Sequence, residues 1–350
     1  MMNNRGSQRT PITSKTIRKL ISIGIVVVLA LVFSLTTSNF LTVRNIFLLL
    51  KDAAYVGLIA IGLSFVMIGG GIDLSAGGIV CVVAIVCSRL SMTGMPGMVV
   101  LILTVLTGAV CGAINALLVT KAHLTEFVAT LASGFVYSGL GLLLAFRDTG
   151  KLSGTLISKS ITNKSVLALG GHVGGLYFIT IFWVVLTVLI YFVQTKTRFG
   201  LHTYAMGSNT KSAKMSGVNG PLVKGLGFII CGAFAGLASN LVVSNIGATT
   251  ASLGSGYEFQ AIAACVVGGV VLGGGKGDAF SAMIGSLFLV LVMNGLMKYG
   301  LPVAWQTVLQ GAIIVAATTF DARFGSIMGR QTIKSRMNRP RSIRKAGGLQ

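Results

Sequence analysis

The stretch LISIGIVVVLALVFSL, from Leu20 to Leu35, decides the fold class of this chain. Nearly all of its residues are apolar, and several basic residues precede it. A helix of about 20 apolar residues is long enough to cross the hydrocarbon core of a bilayer, which is roughly 30 Å thick. No small-residue cleavage site follows the stretch, so we expect a retained membrane span rather than a removed signal peptide.

The composition extends this expectation to the whole chain. Of the 350 residues, 53% are hydrophobic and 10% are charged, and the mean hydropathy is +0.86. Soluble domains carry about a quarter charged residues. We therefore predict an all-α polytopic membrane bundle over residues 20–320, with about ten transmembrane helices and no separate soluble domain. The predicted spans lie near residues 18–37, 53–70, 75–93, 97–119, 125–146, 175–194, 222–245, 259–273, 279–297 and 302–320.

The net charge of +21 is concentrated in three blocks. Residues 1–19, 195–224 and 321–350 together contain 18 of the 28 lysines and arginines. Basic residues accumulate in cytoplasmic loops of membrane proteins, and an even number of spans places both tails on the same side. We therefore expect two basic cytoplasmic tails, 1–19 and 321–350, and a cytoplasmic loop at 195–224. Nucleic-acid binding is not expected, because no aromatic-interleaved basic module accompanies the charge.

The glycine-rich stretch VVLGGGKGDAF, residues 270–280, has two possible readings: a phosphate cradle or a bend between membrane helices. A Walker loop requires the pattern G-x-x-x-x-G-K-[ST]. With Gly275 and Lys276 placed on the G-K pair, Val270 replaces the first glycine and Gly277 replaces the hydroxyl residue. We therefore predict a bend, and no ATP site in this chain.

A second glycine-rich stretch, MIGGGIDLSAGG at residues 67–78, contains an aspartate between two predicted spans. Asp73 either caps the following helix or lines a solute pathway, since a broken helix at membrane depth must face protein or a water-filled cavity. Three other acidic residues, Glu126, Glu258 and Asp278, lie at span ends, where we expect headgroup water to solvate them. Carriers coupled to protons or sodium usually need acidic groups inside the membrane, so ion coupling is disfavoured.

Catalysis and metal binding have no candidate residues in the sequence. The three histidines lie far apart in predicted loops, and the five cysteines lie within apolar runs without a ligand at metal-binding spacing. We expect the cysteines to be packing residues. No nucleophile and base occur together, so the chain is not predicted to be an enzyme, and no cofactor is expected.

The loop YAMGSNTKSAKMSGVNG, residues 204–220, predicts a short amphipathic helix. Asn209 is suited to cap this helix and Gly217 to end it. Ala213 and Met215 would provide an apolar contact. Such a helix is suited to insertion into a groove of another protein.

This loop resembles the coupling loop of permease subunits of ATP-binding-cassette importers, in the class for ribose, xylose and galactose that is related to branched-chain amino acid permeases. The pattern G-x-N-x-x-[AS]-A-x-x-S-G-[VI] matches here, and the resemblance implies ATPase coupling through these matched residues: Gly207, Asn209, Ala213, Ser216 and Gly217. Four further stretches resemble motifs of that class; along the chain they are GGGIDLSAGG, GAINALLV, FVATLA and YEFQAIAACVVGG.

The matched motifs also contain the candidates for a translocation pathway or its gate: Asp73, Ser75, Asn115, Phe127, Thr130 and Gln260. The chain departs from the family pattern at Glu126, where proline is usual, and at Ala116, where glycine is usual. Its coupling loop carries Lys211 and Lys214 where acidic residues are common.

The resemblance implies a multi-pass protein of the bacterial inner membrane with a fold like that of the vitamin B12-type importers. Its expected partners are a cytoplasmic ATPase that uses the ATP, a periplasmic or extracellular sugar-binding protein, and a second permease, either identical or paralogous. The identity of the sugar is left open. The alternative function is that of a stand-alone secondary carrier or channel for a small polar solute.

Overall fold

The computed structural model describes residues 14–149, 159–250, 252–302, 304–316 and 319. The predicted tail 321–350, and residues 1–13 of the other tail, lie outside the described residues. Helices account for most of the described chain, in this order: α1 (Ser14–Thr36), α2 (Val43–Ile68), α3 (Ala76–Met92), α4 (Gly97–Thr120), α5 (Glu126–Thr149), α6 (Lys164–Leu169), α7 (Phe178–Lys196), α8 (Arg198–Ser208), α9 (Thr210–Met215), α10 (Gly220–Ile246), α11 (Tyr257–Gly268), α12 (Ala279–Lys298) and α13 (Ala304–Ala316).

Extended structure within the described residues is limited to strands of two residues each. β1 (Lys159–Ser160) pairs antiparallel with β4 (Ala248–Thr249), and β2 (His172–Val173) pairs antiparallel with β3 (Leu176–Tyr177). The prediction of an all-α helix bundle is therefore confirmed for the described part of the chain.

Six helices in the described residues are long and apolar enough to cross a membrane: α2, α4, α5, α7, α10 and α12. The other four predicted spans correspond to shorter apolar helices, namely Ile23–Thr36 within α1, α3, α11 and α13. Most predicted boundaries agree with these helices. However, α2 begins at Val43 rather than near residue 53, because the charged pair Lys51 and Asp52 does not interrupt it; Lys51 Nζ lies 3.3 Å from Asp52 Oδ1.

The core of the bundle forms where α10 packs against α4, α2 and α3. The helices α4 and α10 approach closely, since a side chain on Gly108 or Gly112 would collide with the backbone of α10 at Gly232 or Phe228. Small residues at helix interfaces allow such close packing in membranes, where helix association depends on van der Waals contact. The glycines of α4 and α10 therefore allow these two helices to pack closely.

The two ends of the bundle differ in structure. One end carries α8 and α9, and we call it the α8 face. The other end carries α6 and the paired strands, and we call it the α6 face. There, Asn163 Nδ2 donates to the carbonyl oxygens of Ser91 (3.1 Å) and Met95 (2.9 Å) at the α3–α4 turn. Ile161 N donates to Gly247 O at 2.8 Å, which fastens the end of α10 to the same face.

Three glycine-containing connections separate consecutive helices of the bundle. Residues 69–75 join α2 to α3, residues 247–256 join α10 to α11, and residues 269–278 join α11 to α12. Each connection contains glycines with positive φ, a conformation that glycine adopts without steric penalty. The stretch 270–280 is thus a bend between two helices, as the sequence predicts.

Candidate functional site

The corner between α8 and α9 has the capping residues that the sequence predicts. Asn209 Oδ1 accepts from Ser212 N at 3.0 Å and caps α9. At the other end of α9, Val218 N donates to Ala213 O (3.1 Å) and Gly217 N donates to Lys214 O (3.0 Å). This is a Schellman motif, and it requires the left-handed conformation that Gly217 adopts at φ +80°.

The exposed surface of α9 differs from the predicted one. Ala213 is buried and packs with Met206 and Val223 of the same chain, so its expected role as an exposed apolar contact is wrong. Burial follows because Ala213 faces the junction between α8 and α10. Met215, in contrast, is 90% exposed, and Lys211 and Lys214 are exposed beside it.

Three glycines from distant parts of the chain meet beneath this corner. A Cβ atom on Gly274 would lie 2.8 Å from the Cα atoms of both Gly207 and Gly70. A Cβ atom on Gly207 would overlap the carbonyl oxygen of Ile68. Gly275 N donates to that same carbonyl at 2.8 Å. We call this contact of Gly70, Gly207 and Gly274 the glycine junction; it joins α8 to the two interrupted connections at 69–75 and 269–278.

Two polar side chains reinforce the connection between α7–α8 and the start of α12. Tyr204 OH donates to Gly277 O at 2.7 Å. Burial, and to a smaller extent the nearby Asp278, raise the pKa of the Tyr204 phenol, so this donor stays protonated. Gln194 Oε1 accepts from Ala279 N at 2.8 Å, while its Nε2 donates to Ser64 Oγ of α2 at 2.8 Å.

Four of the six predicted pathway residues meet in a buried polar network. Asn115 Nδ2 donates to Ser75 Oγ, which donates to Asp73 Oδ1, both at 2.6 Å. Tyr137 OH donates to Asn115 Oδ1 at 3.0 Å. Thr130 Oγ1 accepts from Leu74 N at 3.0 Å. Asp73, Ser75, Asn115 and Thr130 are all fully buried, so these side chains join the 69–75 connection to α4 and α5.

The predicted capping role of Asp73 is wrong. Ser75, not Asp73, occupies the N-cap position of α3, and Asp73 Oδ1 instead accepts from Ser75 N at 2.9 Å. Such a bond two residues along the chain is an Asx turn. The carboxyl group also lies beside the thiol of Cys231 on α10.

The other two predicted pathway residues lie outside this network. Phe127 on α5 is 54% exposed and lines a cavity of about 640 Å³ at the α8 face. Gln260 is half-buried on α11 and takes no part in the hydrogen bonds of the network. Nothing in the sequence pointed to Tyr137, because a tyrosine within an apolar helix carries no positional signal.

The acidic residues at helix ends are not simply solvated by headgroup water. Glu126 forms an ion pair with Lys224 of α10. Asp278 is fully buried and caps α12, with Oδ1 accepting from Ser281 N at 2.9 Å. Glu258 is partly buried in the first turn of α11. Glu126 and Asp278 therefore have partners within the protein.

The described residues contain no group of three or more His, Cys, Asp or Glu side chains that could hold a metal ion. The five cysteines are buried and form no disulfide. Their placement agrees with the packing role expected from their positions within apolar runs.

The chain is similar to a large family of transport proteins. Residues 45–318 match the family described as "Branched-chain amino acid transport system / permease component". The chain is 34% identical over 297 residues to the ribose import permease protein RbsC of Bacillus subtilis, which covers 85% of this chain and 90% of that protein.

Two Escherichia coli proteins show comparable similarity. The D-allose transport system permease protein AlsC is 32% identical, over 84% of this chain and 88% of the relative. The galactose/methyl galactoside import permease protein MglC is 31% identical, over 85% of this chain and 93% of the relative. No solved structure gives a significant match.

Proposed function

This chain belongs to the branched-chain-type permease family of ATP-binding-cassette importers, in its sugar-import branch, and from that premise we propose how it carries out transport. It forms the membrane pathway for a sugar, most simply a monosaccharide such as those named for its relatives. It contains no ATP site and uses no cofactor; a separate cytoplasmic ATPase supplies the energy.

The proposed architecture is that of the vitamin B12-type importers. Ten helices cross the bacterial inner membrane or enter it, and the α8 face and both tails, 1–19 and 321–350, lie in the cytoplasm. The basic residues of the α8 face support this orientation. A second copy or a paralogue completes the pathway, and a sugar-binding protein delivers the solute at the α6 face.

The glycine junction is the observation on which the proposed coupling mechanism rests. An ATPase that holds the exposed end of α9, at Met215, would displace α8 along with it. Since α8 contacts Gly70 and Gly274 through backbone atoms, with no side chains between them, this displacement reaches the connections at 69–75 and 269–278. Packed backbones transmit such shifts because they cannot deform gradually.

Replacement of Met215 tests this function. Met215 is 90% exposed, so Met215→Asp leaves the fold intact but introduces a charge into the proposed ATPase contact. We expect Met215→Asp to lose co-purification with the cognate ATPase. In proteoliposomes, ATP hydrolysis stimulated by the binding protein and sugar uptake should fall by tenfold or more, since a buried unpaired charge costs several kcal/mol.

Met92→Asp is the matched control, because Met92 is 60% exposed at the end of α3 on the opposite, α6 face. This variant should keep full co-purification with the ATPase. Normal ATPase binding and uptake by Met215→Asp would contradict the coupling role of α9. Sugar uptake by the chain without any ATPase would instead identify a stand-alone carrier.

A further inference from the structure

A second cavity, of about 380 Å³, lies between α3, α5 and α11. Its polar lining comes from Ser138 of α5, Ser255 of the 247–256 connection and Glu258 of α11, and Phe259 adds an aromatic ring. Pockets for small ligands typically have volumes of about 300–1,000 Å³. The cavity is therefore large enough for one monosaccharide.

The cavity lies at an intermediate depth in the bundle, where two short helices begin beside each other. A Cβ atom on Gly77, in the first turn of α3, would overlap the Glu258 carboxylate in the first turn of α11. From this point α3 continues to the α6 face, where its last turn contacts Asn163. The far end of α11, at Gly268, packs against Ser281 of α12, near the α8 face.

The lengths of these two helices agree with this placement. At a rise of 1.5 Å per residue, the 17 residues of α3 and the 12 residues of α11 span about 25 Å and about 18 Å. Each is too short to cross a hydrocarbon core of about 30 Å. Helices interrupted near the middle of the membrane form the solute sites of many transporters.

Two glycines of α3 determine how closely its neighbours approach the cavity. Gly77 leaves room for the carboxylate of Glu258, and at Gly78 the absence of a side chain lets α5 approach, since a Cβ atom there would collide with the Gly134 carbonyl. The Glu258 carboxylate lies against the backbone of Gly256 and of its own residue. The carboxylate thus lies at the start of α11, beside Gly77 of α3.

The lining has the chemistry that a sugar requires. Glu258 can accept hydrogen bonds from sugar hydroxyls, Ser138 and Ser255 can donate or accept, and Phe259 presents an apolar ring to the carbon face of a pyranose. The hydroxyls of Ser138 and Ser255 bond to no other group in the described part of the chain. A groove filled by lipid tails would leave these polar groups unsatisfied, at considerable cost.

We propose that this cavity is a sugar-binding site on the translocation pathway, with Glu258, Ser255, Ser138 and Phe259 as its contacts. The inference rests on the proposed function as a sugar permease. It places the solute contact at the junction of α3 and α11, whereas the polar network of Asp73, Ser75 and Asn115 is buried behind it.

The test measures sugar uptake and ATP hydrolysis together. Proteoliposomes with the cognate ATPase receive binding protein loaded with radiolabelled D-ribose, D-allose or D-galactose, whichever the binding protein retains. We expect Glu258→Gln and Phe259→Ala to keep the stimulated ATP hydrolysis but to move about tenfold less sugar per ATP, because each removes a solute contact and leaves α9 unchanged.

The matched control is Phe192→Ala, since Phe192 is 60% exposed on α7 and does not line the cavity. Unchanged sugar per ATP in both cavity variants would overturn the sugar site but leave the permease function intact. Absence of stimulated ATP hydrolysis in the unaltered protein would overturn both.

A second measurement applies if Glu258→Gln does not assemble. Ser255→Cys, in a Cys81→Ser background because Cys81 also lines the cavity, should react with a maleimide more slowly in the presence of the transported sugar. Thr93→Cys, exposed at the end of α3, should react at the same rate with and without sugar. Equal rates for Ser255→Cys would overturn the proposal.

Discussion

At the scale of single residues, Gly207 contributes to the glycine junction through its missing side chain, whereas Gly70 and Gly274 also adopt positive φ. Gly207 lies within α8, where glycine is less favourable than alanine by up to about 1 kcal/mol. The cost is offset because the Cα atom of Gly207 packs directly against Gly274 and Gly70. Any larger residue would separate α8 from both connections.

Gly207→Ala tests this contact. Its Cβ atom would overlap the Ile68 carbonyl oxygen, which belongs to the backbone and cannot move aside alone. We expect stimulated ATP hydrolysis and sugar uptake to fall, and the melting temperature in detergent to drop, with a loss of about 1–3 kcal/mol of stability. Uptake assays and thermal unfolding check both effects.

Gly225→Ala on α10 provides the comparison, since its Cβ atom would lie 3.6 Å from Ala116 Cβ of α4, an ordinary van der Waals distance. It should retain activity and stability. If Gly207→Ala and Gly225→Ala had equal activity and equal stability, the proposed role of the glycine junction in coupling would be contradicted.

At the scale of elements, the ion pair between Glu126 and Lys224 joins the start of α5 to α10. Glu126 occupies a position where the family pattern usually has proline, and an acidic residue in the first turn is favoured by the helix dipole. Gly71 makes room for this carboxylate, because a Cβ atom there would overlap Glu126 Oε2. The departure from the family pattern therefore creates a helix–helix contact beside the cavity that Phe127 lines.

A double-mutant cycle measures this contact. Glu126→Gln and Lys224→Gln should each cost about 1 kcal/mol or less, because both side chains keep part of their exposure to solvent. The double variant should cost less than the sum of the two, since the second change has no ion pair left to break. Thermal unfolding in detergent gives the three values, and strict additivity would show that the two charges do not interact.

At the scale of the whole molecule, we expect the α8 and α6 faces, which form opposite ends of the bundle, to lie on opposite sides of the membrane. The basic residues of 195–224 predict that the α8 face is cytoplasmic. All five native cysteines are buried, and Cys81, which lines the second cavity, is replaced by serine, so a cysteine introduced at the surface reports its own location.

Ser212→Cys on α9 and Val173→Cys in the β2–β3 hairpin test this orientation. Both residues are exposed, on opposite faces of the bundle. An impermeant maleimide should label Ser212→Cys only in inside-out vesicles and Val173→Cys only in right-side-out vesicles. The reverse pattern would place α9 outside the cell, where no ATPase can reach it.

Local features of this protein could be predicted from the sequence alone. Apolar runs indicate where helices form, because a bilayer requires each backbone to satisfy its own hydrogen bonds. The cap at Asn209 and the end of α9 at Gly217 are also local, since each depends on residues within a few positions. The resemblance that indicated a sugar permease rests on short motifs of this kind and is confirmed by the relatives.

Only the tertiary structure shows what the side chains at these motifs contact. Ala213 is buried against α8 and α10 of its own chain, and Asp73 is buried within the polar network. Gly77 lies against Glu258, although 181 positions separate these two residues in the sequence. Such contacts depend on how helices pack, and a single sequence contains no local signal for packing between distant segments. The sequence by itself therefore determined the membrane-embedded helices and the caps of α9, whereas the packing of distant backbones decided the glycine junction and the cavity.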